Sequence, residues 1–292
     1  MKIFTLLSAL FIHLFFSITH AEMVYYYHPP ESPLDVRYNY HWSILKASLD
    51  ATTKKYGAYS LKAGVFMTEE RQLRELSKRN SKLNIMIRET NKEFEKRFLP
   101  IRIPIDRSLI SYRVLLIDKK NKDLFKNINT LDELKKFTFG QGAGWGDVDI
   151  LKLAGFKVKT EVYYDKIFEG LLKGDYVAFP RSVTEVVDEI EKRKDKMPDL
   201  MIEENILLYY PLPTYFWFAK NEHGRKLRAR VKEGIDIIQQ NGAFERLFDQ
   251  YYKTQVSALK LRKRKLFKID NPLLPDATPL SNKKLWVDIN NF

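Results

Sequence analysis

The chain has 292 residues, with 50 Lys and Arg against 37 Asp and Glu, which gives a net charge of +13. It contains no cysteine, so disulfide scaffolds, thiol nucleophiles, iron–sulfur clusters and cysteine-ligated zinc are excluded. Hydrophobic residues make up 45% of the chain. That fraction is too high for a disordered protein, and the length suits one or two domains with a core.

Residues 1–21 have the three-part pattern of a secretory signal peptide. Lys2 precedes an apolar run over residues 3–18, and the small residue Ala21 precedes the predicted cleavage site. The alternative, an uncleaved membrane anchor, is disfavoured because the run is short and contains His13. The mature protein is therefore expected in the periplasm. Export disfavours a nucleic acid partner, so the positive charge points to an anionic membrane surface or an acidic solute.

The first part of the mature chain mixes predicted strands and helices. Hydrophobic periodicity predicts a helix over residues 40–56, and Thr68 is expected to cap another. The nearly apolar stretch 113–117 is typical of a strand covered on both faces. Further strands are predicted at 24–27, 60–66 and 83–87.

Strands and helices alternate at short intervals in the middle of the chain, where Thr130 and Glu133 form a predicted capping box. This alternation predicts an α/β fold with a largely parallel sheet. The predicted strands are 137–139, 158–162 and 176–179, and the helices are 147–154, one from residue 165, and 183–193. Strands at 206–210 and 215–219 and helices at 224–240 and 242–252 follow. The tail beyond them carries a basic run at 260–265 that is expected to be solvated.

A glycine-rich turn at residues 140–146 lies between a predicted strand and a predicted helix. Gly142 and Gly146 allow the backbone to approach a ligand closely, and the amides that open the helix suit a carboxylate or phosphate. Trp145 interrupts the dinucleotide-binding pattern, and no Walker lysine follows. The turn is equally compatible with a tight connection that binds nothing.

Arg181 and Ser182 follow a predicted buried strand, where ligands sit in open α/β sheets. Arg181 is able to fork onto a carboxylate, whereas a solvated Arg beside a Ser helix cap is the plainer interpretation. Tyr27 and Trp145 belong to a group of aromatic residues near strand ends, some of which are expected to line a pocket. No histidine spacing indicates a metal site, and no cofactor is predicted.

The order of several short motifs resembles the extracellular solute-binding proteins of the amino-acid-binding class (family 3-like), which have the type II periplasmic-binding fold. The matching stretches are 71–76, 85–90, 112–117, 129–134, 139–146, 168–178 and 242–252. The resemblance implies two α/β lobes joined by a hinge, with a ligand bound in the cleft. Lobe one would comprise residues 22–112 and 207–252, lobe two residues 113–206, and residues 253–292 would form a C-terminal tail.

The resemblance places Thr90 at the end of a ligand-contacting strand, beside Arg88. In the family an Arg three residues later holds the ligand's α-carboxylate, but here that position is Glu93. The family also has an acid near the end of the lobe-two strand, where this chain has Arg181 and Ser182. These departures favour an anionic or polar solute over a standard α-amino acid. The predicted ligand-binding residues are Tyr27, Glu31, Arg88, Thr90, Gly142, Trp145, Gly146, Asp147, Arg181 and Ser182.

Three functions follow from this interpretation. The first is a non-enzymatic, monomeric binder of a small polar or anionic solute, amino-acid-like or an organic acid, which serves a membrane permease or a sensor. The second is a periplasmic dehydratase or lyase on the same scaffold, with Glu31, Glu89 and Glu93 as acid–base groups. The third is a protein-interaction module whose cleft has degenerated and whose contact segment is the tail.

Overall fold

A computed structural model describes residues 22–78 and 81–292, so the predicted signal peptide lies outside the described residues. The strands are β1 (Met23–Tyr27), β2 (Tyr59–Ala63), β3 (Met86–Glu89), β4 (Phe98–Pro100), β5 (Tyr112–Asp118), β6 (Thr138–Gly142), β7 (Lys157–Glu161), β8 (Phe179–Ser182), β9 (Leu200–Ile202), β10 (Ile206–Tyr209), β11 (Thr214–Ala219) and β12 (Lys265–Lys268). The helices are α1 (Asn39–Ala51), α2 (Thr53–Tyr56), α3 (Glu69–Leu76), α4 (Lys92–Arg97), α5 (Leu131–Leu134), α6 (Gly146–Leu153), α7 (Tyr164–Lys173), α8 (Val186–Glu191), α9 (Glu222–Gln240) and α10 (Ala243–Ala258).

One group of strands combines the first four strands of the chain with β11. β1 pairs with β2 in parallel, and β11 lies between β3 and β4 with antiparallel pairing to both. Every residue of β11 is buried, which explains its unbroken apolar and aromatic sequence. Helix α9 packs on this group and on α1, burying one face that includes Leu227, Val231 and Ile235.

The second group of strands comes from the middle and the C-terminal part of the chain, in the order β12-β10-β5-β8. The predicted parallel arrangement is correct for β6 and β7 and for the bridge between Phe139 and Ala178. It is wrong for β5, which pairs antiparallel with β8, β9 and β10. The helices α6 and α7 provide the crossovers between β6, β7 and β8. Strand β5 instead follows the connection from the first group of strands, and it runs antiparallel to its neighbours.

Two segments connect the groups. The first leads into β5 at Tyr112, and the second, residues 210–213, leads from β10 to β11. They lie side by side, because the Tyr210 amide donates to the Ser111 carbonyl oxygen at 3.2 Å and the Leu212 amide donates to Ser111 Oγ at 2.9 Å. This pair of crossing segments is where a hinge between two lobes is expected.

The C-terminal part is built into the fold. The predicted tail boundary at residue 252 falls inside α10, which continues to Ala258, and β12 then pairs in parallel with β10. The prediction that the basic run is fully solvated is wrong for Arg264, whose Nε donates to the Leu259 carbonyl oxygen at 2.8 Å. Charged side chains with long stems are able to cover a sheet edge while others of the run face solvent.

Local predictions based on turn and cap chemistry are confirmed for α5, α6 and α7, whereas Thr68 precedes α3 but its side chain makes no capping hydrogen bond. Thr130 and Glu133 form the capping box of α5. Gly155 and Gly174 follow α6 and α7 with φ of +91° and +83°, values that favour glycine because it has no Cβ.

The contact between α1 and α9 depends on Gly234. A Cβ added there would lie 2.1 Å from the backbone oxygen of Ser48. We expect Gly234→Ala to lower the free energy of unfolding by about 1–3 kcal/mol, because backbone atoms cannot rotate away from the clash. Chemical denaturation measures this change. Gly146→Ala is the control, since its added Cβ would meet no atom closer than 3.6 Å; equal losses in both variants would contradict the prediction.

Candidate functional site

Two adjoining cavities lie where β3 faces the glycine turn. The inner cavity has a volume of about 30 Å³ and the outer one about 200 Å³. Glu69, Arg88, Glu89 and Trp145 line both. The inner cavity has room for about one or two water molecules, because the protein's own charged side chains fill most of the space around it.

Arg88 crosses from one group of strands to the other. It is held at the end of β3, where the Trp217 indole nitrogen donates to the Arg88 carbonyl oxygen at 2.9 Å. Its Nη2 donates to the carbonyl oxygen of Gly144 in the glycine turn at 3.0 Å. Its Nη1 lies 2.7 Å from Glu69 Oε2. Arg88 is 5% exposed, so these contacts are shielded from water and connect the two sides of the cleft.

Arg181 forms a buried ion-pair cluster with two acids of the following segment. Its Nη2 lies 2.8 Å from Glu185 Oε2 and 2.5 Å from Glu189 Oε1. Burial raises the pKa of Glu185, whereas Arg181 outweighs burial at Glu189 and lowers the pKa of that carboxyl. Arg181 is within β8 and 2% exposed, so it does not face bulk water. Arg181, which the sequence predicts as the cation for a ligand, is therefore already paired with acids of the protein itself.

Arg113 and Asp147 form a second buried pair. Arg113 comes from β5, and its Nη2 lies 3.0 Å from Asp147 Oδ1 in the first turn of α6. The Tyr210 hydroxyl also donates to Asp147. A carboxylate is favourable at a helix N-terminus, and here the chain supplies that carboxylate itself.

Arg37 joins the cluster from the loop before α1. It donates to Asp35 from Nε at 2.8 Å and to Glu31 from Nη2 at 2.8 Å. Its guanidinium lies 4.1 Å from the ring centre of Tyr164 in α7. This cation–π contact joins the N-terminal part of the chain to the middle part.

The glycine turn brings Trp145 into the cleft. The Trp145 ring packs against Gly142, where an added Cβ would lie 2.2 Å from it. Trp145 also stacks on Phe179, with ring centres 6.1 Å apart, and lies under the Arg181 guanidinium at 4.8 Å. Gly142 is therefore required by Trp145, and it does not itself line either cavity.

Several buried polar atoms around the two cavities have no hydrogen-bond partner among the described residues. They include acceptors, donors and hydroxyl groups, a combination that suits a ligand with both charges. These atoms are Glu69 Oε2, Glu185 Oε2, Arg88 Nε and Nη1, Thr90 Oγ1 and Thr214 Oγ1. Arg88 Nη1 is close enough to Glu69 for an ion pair but its direction does not suit a hydrogen bond.

Glu69 is the carboxyl most affected by this environment. Burial raises its pKa to about 8, and the opposing attraction of Arg88 does not offset it. An unfolded Glu has a pKa of about 4.3, so between these values the folded protein holds a proton that the unfolded chain releases. Stability is expected to fall as pH rises through this range.

We expect Glu69→Gln to flatten that pH dependence. Melting temperatures of both proteins between about pH 5 and 9 measure this dependence, because the folded and unfolded proteins differ in the protonation of Glu69 over that range. Asp106, whose pKa burial raises to about 7, contributes in the same direction but is present in both proteins. The difference between the curves therefore reports Glu69. Parallel curves would contradict the assignment.

The structure brings most of the sequence-predicted residues to the cleft. Tyr27 does not line either cavity and packs on Trp42, with ring centres 4.8 Å apart. Ser182 is buried and its Oγ lies 2.7 Å from Thr184 Oγ1. Glu31 contacts the cleft only through Arg37. The predicted residues that line a cavity are Arg88, Thr90, Trp145, Gly146, Asp147 and Arg181.

Sequence reasoning missed much of the charge in the site. Arg113 had a recognisable signal, because it is a charged residue in an otherwise apolar strand. Glu69 lies in the first turn of α3, where an acid is favourable in any helix, so its position in the sequence does not indicate a role in the cleft. The other missed residues are Arg37, Glu185 and Glu189.

The described residues contain no helix long and apolar enough to cross a membrane. His28 and His41 are buried near the cleft, and burial lowers their pKa values to about 4 and about 3. Both are therefore neutral at pH 7. Of the acid–base groups considered for an enzyme, Glu89 lines both cavities, and Glu93 lines the outer one, where it lies 3.0 Å from Arg97.

Comparisons with known proteins find matches in structure. An ancestral arginine-binding protein bound to arginine is 16% identical, with a TM-score of 0.58 over 80% of this chain and 100% of its own. The arginine-, lysine-, histidine-binding protein of Geobacillus stearothermophilus is 15% identical, with a TM-score of 0.57 over 82% and 100%. A histidine kinase sensor domain with similarity to periplasmic binding proteins is 11% identical, with a TM-score of 0.57 over 80% and 96%.

No protein-family model and no curated protein matches the chain. The structural matches extend over nearly the whole length of each neighbour and over about four fifths of this chain. The chain therefore has the two-lobe α/β fold of the periplasmic amino-acid-binding proteins, as the order of its sequence motifs predicts.

Proposed function

We propose that the protein is an exported solute-binding protein that holds a small zwitterionic, amino-acid-like solute between its lobes. The observation that carries this proposal is the composition of the inner cavity. Four Arg and four acids line it, namely Arg37, Arg88, Arg113, Arg181, Glu69, Glu89, Asp147 and Glu185. Basic and acidic side chains occur in equal number. Glu69 is protonated at pH 7, because burial raises its pKa to about 8, and it would release that proton on contact with the ligand ammonium. A zwitterion therefore fits better than the simple anion that the sequence suggests.

Binding would proceed by exchange of internal contacts. In an open form the ligand carboxylate would approach Arg88, whose Nε has no partner, and the ligand ammonium would approach Glu69 Oε2. A charge-assisted hydrogen bond to each group would replace an imperfect internal one. The ligand would then favour closure by the affinity it gains in the closed form.

The proposed lobes are those of the sequence interpretation, residues 22–112 with 207–252 and residues 113–206, except that β10 joins the second lobe because it pairs with β5. The crossing segments at Ser111 and Tyr210 would form the hinge. Cleavage after Ala21, a periplasmic location, a monomeric state and a membrane permease or sensor as partner are parts of the same proposal. The neighbours that bind amino acids support the solute class.

A thermal-shift screen tests the proposal. The protein is unfolded, dialysed and refolded to remove any carried solute, then heated with single amino acids and small organic acids. A zwitterionic amino acid at a hundredfold excess over its Kd should stabilise the protein by about 2.7 kcal/mol. A response confined to organic acids would overturn the zwitterion, and a compound recovered chemically changed would favour the enzyme.

A second function is favoured by one specific observation, the small inner cavity. A cleft filled by its own side chains also suits an interaction module that binds no small solute, and one structural neighbour is a sensor domain. The same screen separates the two functions. An interaction module would respond to no compound in the panel, and its melting temperature would be unchanged throughout.

A further inference from the structure

A third cavity, larger than either cleft cavity, lies away from the cleft. It is a groove of about 510 Å³ between the crossing segments and the C-terminal residues. We call it the hinge groove, and it is lined by Arg107, Tyr112, Tyr209, Leu280, Lys283 and Trp286 among others. It shares no lining residue with the two cleft cavities.

The C-terminal segment builds one wall of the hinge groove. Its Val287 amide donates to the Arg107 carbonyl oxygen at 2.8 Å, and the Trp286 indole nitrogen donates to the Pro279 carbonyl oxygen at 2.8 Å. About a fifth of this chain has no counterpart in the ancestral arginine-binding protein, although that protein is matched over its whole length. The 21 residues before Glu22 account for only part of this fifth. Other residues of this chain therefore also have no counterpart in that protein.

Aromatic rings form flat, half-buried walls in the hinge groove. Tyr112 and Tyr209 are partners on the paired strands β5 and β10, with ring centres 4.8 Å apart. Trp286 is also half-buried, and Leu280 is 51% exposed at the mouth. Large aromatic surfaces left partly open to solvent are typical of sites that stack a planar group.

Positive charge and unpaired donors lie beside these rings. Lys283 makes no ion pair among the described residues. Arg107 Nη1 lies 2.8 Å from Glu245, but its Nε has no partner. Ser108 is 1% exposed and its hydroxyl also has no partner. Arg107 and Ser108 both adopt left-handed backbone angles, with φ of 52° and 58°, a conformation that non-glycine residues rarely take.

We propose that the hinge groove is a second binding site, for a small aromatic carboxylate. The ring would stack against the tyrosines and Trp286, and the carboxylate would face Lys283 and Arg107. Asp288 also lines the groove, and the ligand carboxylate would lie at the opposite end from this acid. The proposal is independent of which solute the cleft binds.

This site would touch both crossing segments at once, through Ser108 before β5 and Pro211 after β10. A bound ring would therefore contact the residues whose backbone angles change when two lobes move about a hinge. The ligand is expected to alter the affinity of the cleft for its own solute, and the effect must be reciprocal.

Titration calorimetry with benzoate tests the proposal, with benzyl alcohol as the uncharged probe of the same ring. Benzoate should bind the unaltered protein saturably, and benzyl alcohol more weakly. Lys283→Glu should weaken benzoate binding by about threefold to fivefold, the range of an exposed charge contact. Lys284→Glu is the matched control, an exposed neighbouring lysine outside the groove, and should leave the affinity unchanged.

Tyr209→Leu supplies a second variant that keeps an apolar side chain on the same strand. It should weaken benzoate binding by about fivefold, because the aromatic contact is lost. Absence of saturable binding would overturn the proposal. So would binding that is equal in Lys283→Glu, Lys284→Glu and Tyr209→Leu, since benzoate would then lie elsewhere.

Discussion

Arg181→Met is expected to lower the free energy of unfolding by about 3–5 kcal/mol, because it leaves buried carboxylates without their cation. Arg181 is the nearest cation to both Glu185 and Glu189, at 2.8 Å and 2.5 Å, and the other cation near Glu185, Arg113, lies 3.9 Å away. Methionine keeps much of the side-chain volume, so the loss would report charge rather than a cavity. Urea denaturation at pH 7 measures the change.

Arg74→Met is the matched control for that experiment. Arg74 lies 3.5 Å from Glu70, and the two side chains are 65% and 81% exposed. An exposed pair of this kind contributes about 0–1 kcal/mol. A loss at Arg181 no greater than the loss at Arg74 would mean that Glu185 and Glu189 are solvated or protonated, and the buried cluster would have to be abandoned.

Arg88→Met is expected to abolish stabilisation by the solute while leaving the protein folded. Burial raises the pKa of its partner Glu69 to about 8, so this carboxyl already holds a proton at pH 7 and no buried charge is left when the guanidinium is removed. The unaltered protein should gain about 2.7 kcal/mol from a hundredfold excess of solute over Kd. The variant should gain almost nothing in the same thermal-shift measurement.

Arg97→Met provides the comparison. Arg97 is on α4, close in sequence to Arg88, and its side chain is 38% exposed beside Glu93. It lines neither cleft cavity, so its substitution should leave the response to solute intact. An undiminished response in Arg88→Met would show that the solute binds away from the site described above.

The fold could be predicted because its signals are local. The capping box at Thr130 and the left-handed Gly155 and Gly174 follow from chemistry within a few residues. The order of motifs indicated the two-lobe architecture. The antiparallel course of β5 could not be predicted, since it depends on where the chain enters the second group of strands.

The candidate site was predictable only in part. Arg88 and Trp145 were found because strand ends and glycine turns face the cleft in this fold. The state of Arg181 was not, because its partners Glu185 and Glu189 approach it through a turn that sequence periodicity does not reveal. Whether an arginine is free for a ligand depends on acids brought near it by folding, and a motif does not report them.

Lobe movement on binding is the central claim, and the absence of cysteine allows it to be measured directly. Val65→Cys and Val162→Cys would place one spin label in each proposed lobe, at positions 49% and 64% exposed. Pulsed electron resonance would then give the distance between the labels, with and without single amino acids. We predict a broad distribution that narrows to one short distance with the bound solute. A distribution that no amino acid changes would contradict the account.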